Sequence, residues 1–161
     1  MLLARLLVFT LLAPGFVAVV APSWLRRGKP MPWDLWSSIG WPVLAAGVLL
    51  YVWSATEFYR RGRGTPAAFF TRRLRFLIGE EPAKPVFSGL YGVSRNPMYS
   101  GIVLIVTGQG LLWKSAPVLI YAAALWALFH LVVVFVEEPH LRKKGGAGYE
   151  AYCRSVPRWL G

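Results

Sequence analysis

The chain has 161 residues, about the size of one domain. Hydrophobic types make up 56% of it and charged types only 16%, against roughly 25% charged in ordinary soluble domains. Lys and Arg total 18 and Asp and Glu total 7, a net charge of +11. Eight Trp, seven Tyr and nine Phe stand largely inside long apolar runs, which excludes a soluble basic domain and a disordered tail. Cys153 has no second cysteine in the sequence to pair with, so an internal disulfide and a cysteine-based structural zinc site are excluded too.

Four stretches carry no Asp, Glu, Lys or Arg: Leu6 to Leu25, Leu35 to Thr56, Asn96 to Trp113 and Ser115 to Val136. They are 20, 22, 18 and 22 residues long. A helix needs about 20 apolar residues to cross a bilayer core, and only a helix satisfies its own backbone there. The expected architecture is all-α: one polytopic membrane domain over residues 1–161, an N-terminal hairpin over 1–59 and a second half over 60–161. The third span is the weakest of the four, because Pro97 and Gly108-Gln109-Gly110 shorten its apolar part. Gly108 and Gly110 read as helix-packing positions. Lys114-Ser115-Ala116-Pro117 is short enough to force the third and fourth spans into an antiparallel hairpin.

Basic residues set the expected orientation. The N-terminus, middle segment and C-terminal segment share one side and hold 14 Lys and Arg; the other side has four, Arg26, Arg27, Lys29 and Lys114. The positive-inside rule puts both termini in the cytoplasm of a plasma or inner membrane. The charge is then a topology signal and a contact for anionic lipid. Spread over juxtamembrane segments, it does not describe a nucleic-acid face. A cleaved signal peptide ending near Ala21 fits less well, since the uncharged stretch exceeds a usual apolar signal region. Trp24, Trp33, Trp36 and Trp41 read as an interfacial belt.

In the middle segment Phe69, Phe70, Leu74, Phe76, Leu77 and Ile78 interleave with Arg72, Arg73 and Arg75. That pattern predicts an interfacial helix with snorkelling arginines, or a lid over a lipid-facing site. Glu138 precedes Pro139, which disfavours helical geometry at Glu138 and predicts a kink as the fourth helix leaves the membrane. Tyr149 to Val156 reads as a short cytoplasmic helix with Tyr149 and Tyr152 on one face.

The residues able to carry chemistry gather at the cytoplasmic ends of the third and fourth spans. Arg95, Asn96 and Tyr99 open the third; His130, Glu137 and Glu138 stand on or just past the fourth. Carboxylates at a membrane boundary are expensive and by default functional. Adjacent helical residues point about 100° apart, so the two glutamates cannot both face one site in a regular helix. Arg142, four residues on, is a candidate partner for Glu138. His130 is the titratable group within the fourth span and can serve as a base. Cys153 reads as inert, with no histidine or helix start beside it in sequence. Two histidines are too few for a histidine-rich metal site, and no metal is expected.

Lys84-Pro85-Val86-Phe87, Gly89-Leu90-Tyr91, Ser94-Arg95-Asn96-Pro97-Met98-Tyr99, Glu137-Glu138-Pro139-His140-Leu141 and Tyr149 to Trp159 occur in that order. This ordered set resembles the isoprenylcysteine carboxyl methyltransferase family, relatives of the phospholipid N-methyltransferases, over about the last 100 residues. The resemblance implies methyl transfer from S-adenosylmethionine at the cytoplasmic face of the membrane, to a lipophilic or small acceptor. It implies cofactor contacts at Lys84, Pro85, Val86, Phe87, Tyr91, Asn96, Pro97, Met98, Tyr99 and Glu138, with His130, Glu137 and Arg95 expected as the catalytic set. Membrane lipids are the expected partners, and nucleic acid is not. Val133 stands where eukaryotic members carry an arginine for the substrate carboxylate, which points to an acceptor other than a prenylcysteine carboxylate. Arg158 is expected at the surface, directed there by Pro157. An NADPH-dependent sterol-reductase-like enzyme and a non-catalytic assembly protein are the competing readings; Met98 and the Glu137-Glu138 pair favour the methyltransferase.

Overall fold

The structure is a computed structural model that describes residues 7–8, 10–26, 35–57, 59–60 and 89–160, the side chains of 36 and 37 excepted. Among these residues there are helices and turns and no strand. Helix α1 runs over Leu11–Leu25 and α2 over Leu35–Glu57. A short 3-10 turn, Gly89–Gly92, leads into α3, Pro97–Leu112. Helix α4 covers Ala116–Val132 and passes through a π turn, Val133–Glu137, into α5, Glu138–Ser155. The interleaved stretch expected to form an interfacial helix or lid, with Lys84, Pro85, Val86 and Phe87, lies outside the described residues, as does Trp33.

Two helices, Ser38–Glu57 and Ala116–Ser155, are long and apolar enough to cross a membrane; Leu11–Leu25 and Pro97–Leu112 are shorter apolar helices. The 16 residues of α3 rise about 24 Å, in keeping with its expected weakness as a span. Large apolar side chains point outward along these helices: Leu11 is 72% exposed, Trp24 74%, Ile120 69% and Phe135 70%. A folded chain in water rarely leaves so much contiguous apolar surface uncovered, whereas lipid accepts it.

Close backbone approach holds α2 to α3. A Cβ on Gly47 would lie 2.6 Å from the Ile105 nitrogen and 2.8 Å from the Gly101 carbonyl. One on Gly108 would lie 2.6 Å from the Leu44 nitrogen, and one on Gly40 2.9 Å from that of Leu112. Gly40 and Gly47 thus face Gly108 and Gly101 in reverse order, so the two helices run antiparallel. Glycines in this arrangement let helix backbones touch without a hydrophobic driving force. Helices α3 and α4 form the expected hairpin, closed at Lys114 with a left-handed backbone (φ 46°), and Gly110 makes room there for Leu119.

Helix α1 is wound as a π-helix over Leu11–Val20. Pro22 lacks the N–H that would take the carbonyl four or five residues back, those of Ala18 and Val17. Gln109 Nε2 donates to the Ala18 carbonyl at 2.7 Å and the Tyr121 hydroxyl to that of Val17 at 3.1 Å. Polar side chains of α3 and α4 therefore pick up the carbonyls a proline releases in α1. Around these contacts Ala18, Tyr51, Met98, Ile102, Val106, Val118, Ala122 and Leu125 form the core.

The backbone at Glu138 departs from expectation. It is helical, at φ −58° and ψ −45°, and the chain continues through Pro139. The π turn that ends at Glu137 already interrupts the four-residue hydrogen-bond ladder, so the missing N–H of a proline in the next turn is tolerated. The break in α5 comes later, at Gly146, with φ 53° and ψ −139°. Beyond it Tyr149, Tyr152 and Val156 pack as a second small core, with the two tyrosine rings 5.9 Å apart on the shared face.

Candidate functional site

Glu138 is 5% exposed and surrounded by guanidinium groups. Arg158 donates from Nε to Oε1 at 2.6 Å and from Nη2 to Oε2 at 3.0 Å. Arg95, whose side chain is 9% exposed, places Nη1 3.1 Å from Oε1. Arg142, the expected partner, is the outermost at 3.9 Å and also pairs with Glu150. Burial alone would raise the Glu138 carboxyl, but the Arg158 hydrogen bond and the charges of Arg95, Arg158 and Arg142 outweigh it and leave it below its ordinary value. Glu138 is ionised at neutral pH, and its lone pairs are largely committed inside the protein.

Arg158 corrects the expectation that Pro157 sends it to the surface. Helix α5 ends at Ser155, and Val156 is extended (φ −124°, ψ 127°). The next carbonyls then dock on the entrance to α3: Arg95 N–H donates to Pro157 O at 2.9 Å, and Asn96 Nδ2 to Arg158 O at 3.0 Å. The backbone so held turns the Arg158 side chain onto Glu138. Cys153, expected to stand without an activating neighbour, has Arg95 Nη1 2.7 Å from its sulfur.

Glu137 takes the other direction, as adjacent helical positions require. It accepts a hydrogen bond from the Tyr99 hydroxyl, and the Tyr99 ring packs on Phe129 with centroids 4.5 Å apart. Tyr91 is buried, and its carbonyl accepts from the Tyr152 hydroxyl at 2.6 Å. Burial, then the nearby Tyr152, Glu137 and Glu57, push the Tyr91 phenol well above its ordinary value. It therefore stays neutral. Pro97 and Met98 are buried at the start of α3, Met98 within the core, so any part they play at a ligand is as wall rather than as donor.

His130 accepts a hydrogen bond at Nδ1 from the Trp159 indole, at 3.1 Å. Its ring stacks against Trp126 at 5.6 Å and Trp159 at 6.0 Å. A neutral imidazole accepting at Nδ1 carries its proton on Nε2. The lone pair a base needs is then engaged, and proton transfer to His130 requires that bond to open. Val133 is fully buried.

Sequence reasoning left three residues out of the site. Arg158 and Trp159 were assigned to the surface or to no role. Glu57, just past the second uncharged stretch, is 9% exposed and lies against Gly89, where a Cβ would meet its Oε1 at 2.5 Å. Gly89 has φ +65°, and the absence of a side chain there is what seats the Glu57 carboxylate beside the Gly89–Gly92 turn. A glutamate immediately following an apolar run was the available signal.

Taken together, the described residues give an outward-apolar helical chain with ionised and aromatic side chains gathered where α3 begins and α4 ends, as in an integral-membrane enzyme. The family model for phospholipid methyltransferase matches residues 36–147, and the chain belongs to that family. It is a membrane methyltransferase by family and by its apolar helices. The match stops short of Tyr149 to Trp159, the stretch that supplies Arg158. No curated protein and no solved structure matches the chain.

Proposed function

We propose that the protein transfers a methyl group from S-adenosylmethionine to a polar group of a membrane lipid or similar lipophilic acceptor, at the cytoplasmic ends of four membrane-spanning helices. The observation that carries this reading is that the start of α3 meets the end of α4 through two pairs, Arg95 with Glu138 and Tyr99 with Glu137, in a chain of the phospholipid methyltransferase family.

The donor set suits such a cofactor. Arg95 Nε is buried with no hydrogen-bond partner among the described residues, a spare donor for a ligand carboxylate. Tyr99 and Phe129 offer aromatic faces that favour a sulfonium or ammonium, and Tyr91 adds a neutral wall. When bound, the cofactor supplies an electrophilic methyl group. The chain's own residues bind, orient and keep water out, which is most of what an in-line displacement asks. Asn96 and Pro97 set the entrance of α3, and Glu138 holds Arg95 and Arg158 in place. Glu137, steadied by Tyr99, accepts the proton an amine or hydroxyl acceptor must lose. Lys84 to Phe87 complete the cofactor site in this reading. With Arg158 and Arg95 Nη1 on Glu138, the spare Arg95 Nε given to the cofactor's carboxylate, and Val133 apolar, no cation is assigned to a substrate carboxylate. An amine or hydroxyl acceptor fits better than a prenylcysteine.

Titrating the purified protein in detergent with S-adenosylmethionine and, separately, NADPH tests this reading. Saturable binding of S-adenosylmethionine alone is expected; binding of NADPH alone, or of neither, contradicts it.

A further inference from the structure

We infer that Cys153 is a positioning residue for the cofactor's carboxylate: its sulfur sets the direction of the Arg95 guanidinium and so keeps Nε open as a donor. This role rests on the S-adenosylmethionine reading of the site and gives it a residue that the sequence reads as inert.

Arg95 binds its two partners unequally. Nη1 stands 3.1 Å from Glu138 Oε1 as an ion pair and 2.7 Å from Cys153 Sγ as a hydrogen bond. Among the described residues the bond to sulfur is the one hydrogen bond that the Arg95 side chain makes. Attraction between charges depends on distance alone, whereas a hydrogen bond weakens steeply off its axis. Glu138 therefore holds the charge of Arg95, and Cys153 holds its orientation. The two Glu138 oxygens meanwhile accept directed hydrogen bonds from Arg158.

Both ends of the sulfur contact are themselves fixed. Cys153 lies in the last turn of α5, packed against the small core of Tyr149, Tyr152 and Val156. Tyr149, four residues earlier and buried, hydrogen-bonds the sulfur from its hydroxyl. The Arg95 main chain is tied by its N–H to Pro157 O at 2.9 Å.

What this leaves over is Nε. The Arg95 side chain is 9% exposed, and Nε is buried with no hydrogen-bond partner among the described residues. A buried donor left unmade is costly, and a ligand carboxylate satisfies it with a charge-assisted bond. Glu138 is the competitor for that donor, because arginine and carboxylate favour a two-bond fork. Without the sulfur the guanidinium turns its Nε edge onto Glu138, and the ligand loses its donor.

The test uses the full-length protein in detergent and calorimetry with two ligands, S-adenosylmethionine and its decarboxylated analogue. The wild type should prefer S-adenosylmethionine by about tenfold or more, the size of one hydrogen bond to a charged group. In Cys153→Ala that preference should shrink about threefold to tenfold, the loss falling on S-adenosylmethionine alone. Cys153→Ser, whose hydroxyl also accepts, should keep most of it. A methanethiosulfonate reagent gives a second measurement on the unmutated chain. The sequence has one cysteine, unpaired and partly exposed, so the reagent reports on that sulfur only. It forms a methyl disulfide there and releases methanesulfinate. Treated wild type should match Cys153→Ala, and dithiothreitol should reverse the change. A Cys153→Ala protein with the wild-type preference, or one weakened equally towards both ligands, overturns the positioning role. So does a wild type that binds both ligands alike, with methyl transfer left standing. If the wild type binds no S-adenosylmethionine, the methyl-transfer reading fails and the role falls with it.

Discussion

Arg158 crosses 20 sequence positions to lie on both carboxylate oxygens of Glu138, at 2.6 and 3.0 Å. This pair ties the end of the chain to the junction of α4 and α5, while Arg95 brings the start of α3 to the same carboxylate. Removing Glu138 leaves Arg95 buried without its counter-charge. Breaking a buried pair from one side costs about 3–5 kcal/mol, and the partial exposure of Arg158, at 32%, brings the expected loss for Glu138→Ala nearer to about 2–3 kcal/mol. Arg158→Ala should cost less. A double-mutant cycle in detergent should give a coupling above about 1 kcal/mol; additivity within about 0.5 kcal/mol would show the two groups to be independent.

Tyr99→Phe removes the hydroxyl that holds Glu137 and keeps the ring that packs on Phe129. Turnover should fall about tenfold or more, with cofactor affinity changed much less. An equal loss in both would make Tyr99 a binding residue instead.

Much of this arrangement was legible in the sequence. Charge-free runs and Gly108 and Gly110 gave the helices, the α3–α4 hairpin and a close-packed seam, because these depend on composition and local spacing. That the α3 entrance lies beside the two glutamates was also legible, since charged residues beside apolar runs stand out. What was missed depends on where the backbone turns after a regular element ends. Pro157 marks the end of a helix but not the direction taken by Val156, so the sequence points Arg158 outward and gives Trp159 no role. Glu57 needed the positive φ of Gly89 to be seen, and the helical state of Glu138 needed the π turn before it.

Gly47→Leu should separate α2 from α3, because its Cβ would meet the Ile105 backbone at 2.6 Å. Overpacking typically costs about 1–3 kcal/mol, and backbone cannot move aside as a side chain can, so the upper end is expected. Gly148→Ala, where a Cβ meets nothing within 4 Å, is the control and should unfold thermally like the wild type. The reverse order of stabilities would contradict the antiparallel seam.

Gln109→Leu should cost about 1–3 kcal/mol, because it leaves the Ala18 carbonyl without its donor and Pro22 cannot replace it. Tyr121→Phe should cost less, its bond to Val17 being longer, at 3.1 Å against 2.7 Å. Thermal unfolding in detergent ranks the two, and no loss in either would detach α1 from this account.

Topology bears on where the site lies. On the proposed four-span topology, 14 basic residues lie on one side and four on the other, so a reporter fused after Gly161 should report the cytoplasm and a label near Lys29 the opposite side. A C-terminus outside the cytoplasm would move the site to the other face.

The central claim is methyl transfer to a lipid-like acceptor, and one assay meets it directly. Purified protein is given S-adenosylmethionine labelled in its methyl group, with membrane lipid extract in one reaction and a prenylcysteine analogue in another. The account predicts label in the lipid fraction, lost in Glu137→Gln, and little base-labile ester on the analogue. Ester formation on the analogue with no labelled lipid would contradict it and require Arg158 or Arg95 to leave Glu138 for the substrate.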